Sequence, residues 1–85
     1  MKLQTEFLKK DVEVSAERYE EMLGCLPPEE MTGNAFLVGE PYDHAKDLSG
    51  HFGARYDLYF EENNKFYYGG LASVRDFKAF LIPNI

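Results

Sequence analysis

From Asp11 onward, Val12, Ala16, Tyr19, Leu23 and Leu26 recur at steps of three and four residues. That period gathers apolar side chains on one face of an α-helix. Asp11 or Ser15 supplies an N-cap and Gly24 a terminator. Pro27 and Pro28 stop the helix, since neither donates a backbone hydrogen bond and each restricts the residue before it. The polar stretch Glu29 to Asn34 contains Gly33 and Asn34, which tolerate positive φ, and reads as a loop. It leads into Ala35-Phe36-Leu37-Val38, a short apolar run closed by Gly39 and Pro41 and therefore a buried strand. Tyr42 to Gly53 offers only Leu48 and Phe52 as anchors and reads as a long surface loop.

Arg55 to Glu61 alternates strictly, with Tyr56, Leu58 and Phe60 on one side and Asp57, Tyr59 and Glu61 on the other. Such a strand is half-buried, and Lys65 to Tyr68 returns beside it after Glu62-Asn63-Asn64. A two-residue Asn63-Asn64 turn would place Phe66 and Tyr68 on the side of Asp57 and Glu61, mixing apolar and charged groups. A three-residue loop with Asn64 left-handed instead pairs Phe60 with Phe66, Leu58 with Tyr68 and Glu61 with Lys65. The second register is preferred on a sheet with one apolar face. It sets Tyr59 beside Tyr67 on the outer face, unless the first helix covers them.

Gly69 and Gly70 relax the chain before Ser73, an N-cap for a short helix with Val74, Phe77, Phe80 and Leu81 on one stripe, ended by Pro83. Met1 to Lys10, with Leu3, Phe7 and Leu8 among polar neighbours, fits a helix and a strand equally. It is expected to be flexible or loosely packed. The fold class expected is α+β: one domain over residues 1–85, a three-stranded antiparallel sheet carrying two packed helices in the order α-β-β-β-α.

Composition supports a folded domain, because 45% of the 85 residues are apolar and 15% aromatic. No apolar run approaches the roughly eighteen residues of a membrane span. The N-terminus lacks the apolar stretch of a secretory signal, so a cytoplasmic location without a membrane partner is expected. Cys25 stands alone, cannot form an internal disulfide, and reads as a small buried hydrophobe near a helix end. Fifteen acidic against nine basic side chains give a net charge of -6 and a pI near 4.8. Such a surface repels phosphate backbones and attracts basic ones, which disfavours direct nucleic-acid binding.

Charge also has a location. Residues 1–30 hold eight acids against four bases, and the remainder seven against five. Glu13, Glu17 and Glu21 recur every four residues, with Glu20 adjacent and Glu29 and Glu30 just past the prolines. A solvated helix face gives the same pattern as a negative stripe facing a basic partner. Tyr42, Tyr59 and Tyr67 form a second candidate surface, since tyrosine is enriched in interfaces, although packing under the N-terminal segment is an equal alternative for one of them.

Asp43, His44 and His51 invite an acid–base or metal reading, but their spacing in a loop matches no ligand pattern. No nucleophile elbow, Walker loop, dinucleotide fingerprint or histidine–glutamate zinc motif is present, and so thin a core leaves little room for a cleft. No enzymatic activity, cofactor or metal is expected.

Two runs, LPPEEMTGNAFLVGEPYDH from Leu26 to His44 and RYDLYFEENNKFYYGGLASVRDFKAF from Arg55 to Phe80, carry a resemblance. They resemble a family of short proteins from plasmids, phages and integrating elements, catalogued as domain of unknown function 1419. The resemblance spans about three quarters of the chain and implies the order of segments and a mobile-element setting. By context and charge, such proteins are similar to anti-CRISPR and other phage inhibitors that occupy nucleic-acid channels of host defence complexes. What this implies is a non-enzymatic acidic inhibitor whose partner is a host protein or nucleoprotein complex with a Lys/Arg-rich surface. An accessory or regulatory domain of a plasmid or phage is the competing class, either as a monomer or as a homodimer through a sheet edge or the tyrosine face.

Overall fold

The structure is a computed structural model and describes residues 1–25, 27–42 and 55–82. Three long strands run through its centre: β4 (Ala35–Tyr42), β5 (Arg55–Glu62) and β6 (Lys65–Ser73). Two-residue strands extend them, β2 (Glu13–Val14) on the outer side of β6 and β3 (Glu30–Met31) on the outer side of β4. The sheet is therefore five-stranded and antiparallel, in the order β2-β6-β5-β4-β3. A separate two-stranded pair joins β1 (Lys2–Leu3) to β7 (Leu81–Ile82). Helix α1 covers Ala16–Cys25 and α2 covers Val74–Ala79.

The α+β class holds, but the expected three-stranded sheet and α-β-β-β-α order do not. Pairing at both edges recruits residues 13–14 and 30–31, which two-residue strands take from local sequence that has no periodicity of its own. Val12 accordingly lies outside the helix, and its carbonyl accepts from the Tyr68 N–H at 2.9 Å. Ser15 is the true cap: its Oγ accepts from the Arg18 N–H at 3.0 Å. Gly24, expected to terminate α1, lies within it. At α2 the expected cap is observed, with Ser73 Oγ accepting from the Asp76 N–H at 3.1 Å.

The hairpin register differs from the expected one. Asn63 and Asn64 both adopt positive φ, 53° and 63°, and form a two-residue turn between the paired Glu62 and Lys65. Two left-handed residues in succession suit the right-handed twist of a tight hairpin, and asparagine tolerates that conformation. Phe60 then faces Tyr67, Tyr59 faces Tyr68, and Glu61 faces Phe66. Between Leu58 and Tyr59 the register shifts, because Gly69 enters as an extra residue and Leu58 pairs with Gly70. A Cβ on Gly69 would stand 3.0 Å from Leu58 Cδ2 and 3.1 Å from Phe60 Cε1, so any side chain there requires Leu58 and Phe60 to shift. Gly70 supplies the positive φ of 88°.

The preference for the other register assumed one apolar face. Both faces of this sheet are covered. On one side α1 places Tyr19, Met22 and Leu23 over Phe36, Val38 and Tyr59. On the other, the N-terminal segment and α2 bring Leu3, Leu8 and Phe77 over Leu37, Leu58, Phe60 and Tyr67. The two helices thus occupy opposite faces. Leu3, inside the segment expected to lie loosely, is 2% exposed.

Candidate interaction surface

Helix α1 is seated by aromatic contacts. The Tyr19 ring meets Phe36 edge-on at 4.9 Å between centroids and lies 4.6 Å from Phe66. Burial, and then the nearby Glu61 carboxylate, push its phenol up to about 12. With Tyr19, Met22 and Leu23 inward, the helical period turns Glu17, Glu20 and Glu21 to solvent, and all three are exposed. Glu17 lies in the first turn, where the helix dipole favours an acid. Arg18 is the one cation in α1, and its guanidinium pairs with Glu21 at 2.7 Å.

The remaining acids are dispersed. Glu13 is in β2 opposite Tyr67, and paired residues share a face, so it projects on the side away from α1. Glu30, half-buried in β3 opposite Leu37, projects on that same far side. Glu29 is exposed in the bend before β3, where its N–H bonds the Leu37 carbonyl at 2.8 Å. The expected stripe of Glu13, Glu17 and Glu21 therefore reduces to a triad, Glu17, Glu20 and Glu21. The sequence signal for this was Ser15, a second possible cap that starts the helix two residues after Glu13.

The tyrosine surface is not formed. Tyr59 is 6% exposed and stacks on Phe36 at 5.4 Å, beneath α1. Tyr67 is 9% exposed and stacks on Phe60 at 5.3 Å, on the opposite face. The two are neither side by side nor accessible. Tyr42 ends β4 opposite Arg55, and its side chain lies outside the described residues, as does that of Cys25. Asp43, His44 and His51 lie outside them too. Among the described residues no three His, Cys, Asp or Glu side chains gather so as to hold a metal ion. No helix among them is long and apolar enough to cross a membrane.

One polar group on the α1 side was not anticipated. The Tyr68 hydroxyl donates to Asp57 Oδ1 at 2.9 Å, which lets a carboxylate remain half-buried beside Tyr59. Burial, with Asp57 adding to it and Arg18 opposing, raises the Tyr59 phenol above its ordinary value. The register that brings Tyr68 to this face is the one that sequence patterning disfavoured.

A cleft of about 480 Å³ lies beside the N-terminal segment and the hairpin turn. Leu3, Thr5, Asn34 and Glu62 line it, together with the Asn63-Asn64 turn. In comparisons with known proteins, no family model, no curated protein and no solved structure matches the chain significantly.

Proposed function

We propose that the chain is a non-enzymatic acidic binding protein of a mobile element, which inhibits a host defence complex by occupying a Lys/Arg-rich surface that otherwise holds nucleic acid. The outer face of α1 is the contact. The observation that carries this reading is the seating of α1: Tyr19, Met22 and Leu23 pack inward, and Glu17, Glu20 and Glu21 face solvent on a capped helix. Carboxylates held on a helix approach a basic surface without the entropic cost of ordering a loop. Arg18 neutralises part of the triad and is the side chain that a partner's cations would displace from Glu21.

Such binding is steered by charge and weakened by salt, since the participating groups are exposed and screened within about 8 Å at physiological ionic strength. A pulldown against host nucleoprotein complexes at low and high salt tests the partner class. Recovery of nucleic-acid-handling proteins at low salt that fades at high salt supports it, and recovery of none at low salt defeats it. Glu17→Lys with Glu21→Lys locates the contact. Both positions are exposed, so the fold is retained, and affinity should fall on the order of a hundredfold for two reversed charges. Unchanged affinity removes α1 from the interface.

A further inference from the structure

Strand β6 is much longer than the strand that covers its outer edge. β2 pairs with it at Phe66 and Tyr67, and the Val12 carbonyl adds one bond, accepting from the Tyr68 N–H at 2.9 Å. Before Val12 the chain leaves the sheet, because Lys10 is drawn to the Thr5 and Leu8 carbonyls and to Glu62. Among the described residues no strand lies beside the outer edge of 69–73. Counting on from the outward Tyr68 N–H through the extra residue Gly69, the next outward N–H and C=O belong to Leu71, opposite Asp57. Leu71 is 39% exposed. Open edges are commonly blunted by charge or proline. The short strands at the two ends of the sheet carry Glu13 and Glu30, whereas residues 69–73 carry neither device.

Beside this edge, on the face away from α1, lies an apolar groove of about 200 Å³ between β6, α2 and Leu8. It exists because β6 brings only small residues there: Gly70 pairs with Leu58 and Ala72 with Tyr56, and cross-strand partners share a face. Phe77 and Phe80 form its helical wall. Asp76 is the one charged residue among those described that line it. Positions 76 and 80 stand one helical turn apart on the groove flank of α2, while the period turns Arg75 to the side opposite Phe77 and Lys78 to the other flank. The groove is therefore apolar within and acidic at its rim, and its volume admits one side chain of the size of leucine or methionine.

We propose that the open half of the β6 edge and this groove together bind an extended peptide segment of a partner protein, in which a lysine or arginine stands two residues before an apolar one. The outward groups of Leu71 select an extended chain, which adds an antiparallel strand in the line that β2 leaves at Val12. In such a strand the residue opposite Leu71 points to the α1 face, and those opposite Gly70 and Ala72 point to the groove. The residue opposite Gly70 is the apolar one, entering against Leu58 and Phe77. Two places earlier in an antiparallel chain, the residue opposite Ala72 stands beside the start of α2, where the Asp76 carboxylate meets a cation. The seat lies on the face opposite α1, so the inference stands apart from the reading of the acidic triad.

The test titrates the isotopically labelled full chain, followed by NMR, with the end-capped peptide Thr-Val-Lys-Thr-Leu-Thr-Val. Saturable shifts in the amides of 69–73 and in the Phe77 and Phe80 rings, half-complete below about 1 mM, are the expected result. Methylating the peptide nitrogen of the threonine between lysine and leucine, which removes the N–H aimed at the Leu71 carbonyl, should weaken binding at least about tenfold. Replacing the peptide's lysine with glutamate should weaken it about threefold, and Asp76→Lys in the protein should reverse that preference. Asp76 is exposed and serves the Ser73 cap through its backbone N–H, so the variant keeps its fold. The proposal is overturned by unmoved amides at 69–73, by equal binding of the methylated peptide, or by an Asp76→Lys chain that keeps the original charge preference. Shifts at 69–73 that grow with protein concentration alone would give the edge to a second copy and overturn it too.

Discussion

The two faces of the sheet are closed in different ways. The face bearing Phe36, Val38 and Tyr59 is closed by α1, one continuous helix with its own cap. The face bearing Leu37, Leu58, Phe60 and Tyr67 is closed by pieces from both ends of the chain: Leu3 and Leu8 from the N-terminal segment, Phe77 from α2 and Leu81 from β7. A helix announces itself through its period, and it brings its apolar side chains as a preassembled stripe. A composite cover has no such signature, because each piece is too short to carry a period of its own. The helical cover leaves its outer side free to carry charge, whereas the composite one leaves spaces around Leu3.

If both faces are true cores, cutting either should cost alike. Phe60 and Phe36 are each at most 1% exposed, on opposite sides of the sheet. Phe60→Ala and Phe36→Ala should each destabilise the fold by about 3–5 kcal/mol, measured by urea denaturation. A loss under about 1 kcal/mol for Phe36→Ala would mean that α1 is a loosely held appendage and that the comparison is false. For a domain of this size either truncation approaches the whole of the stability, so the variants are best measured with a stabilising osmolyte present.

Gly69 separates the faces more finely. Its missing Cβ leaves room for Leu58 and Phe60 on the composite side alone, and Gly69→Ala should cost about 1–3 kcal/mol through overpacking. Hydrogen exchange should then accelerate first in residues 2–5 and least in α1. Equal acceleration on both sides would show that the faces unfold as one unit.

What could be read from sequence divides along the same line. Ala35 to Val38, the alternation of Arg55 to Glu61 and the Ser73 cap were legible, because each signal is local. The hairpin register was not. Phe66, Tyr67 and Tyr68 are three consecutive aromatics, so either register buries some of them, and the choice depended on whether the second face was covered. The hydrogen bond from Tyr68 to Asp57 removes part of the penalty that seemed to forbid the two-residue turn. The same error produced the tyrosine surface: Tyr59 and Tyr67 share a face only in the register that was not adopted. The acidic triad was legible apart from Glu13, and what misplaced Glu13 was the equal claim of Asp11 to cap the helix.

The smallest expected effects are the pH responses, which should have opposite signs for the two covers. On the α1 side, Tyr19 is raised to about 12, mainly by burial. A group whose folded value is raised contributes stability that is complete below its unfolded value near 10 and is lost as pH climbs towards 12. Tyr19→Phe should flatten this alkaline loss, with the raised phenol of Tyr59 accounting for a remainder. On the composite side, the hydrogen bond from Thr5, opposed by desolvation and aided by Lys10, holds the Glu62 carboxyl below its ordinary 4.5. A group whose folded value is depressed contributes stability present above its unfolded value and lost as pH falls through the folded one. Glu62→Gln should therefore flatten the acid limb below 4.5 and leave the alkaline limb unchanged. Urea midpoints taken across both ranges decide it: an alkaline limb altered by Glu62→Gln, or an acid limb altered by Tyr19→Phe, would mean that the covers are coupled through the sheet and do not titrate as separate layers.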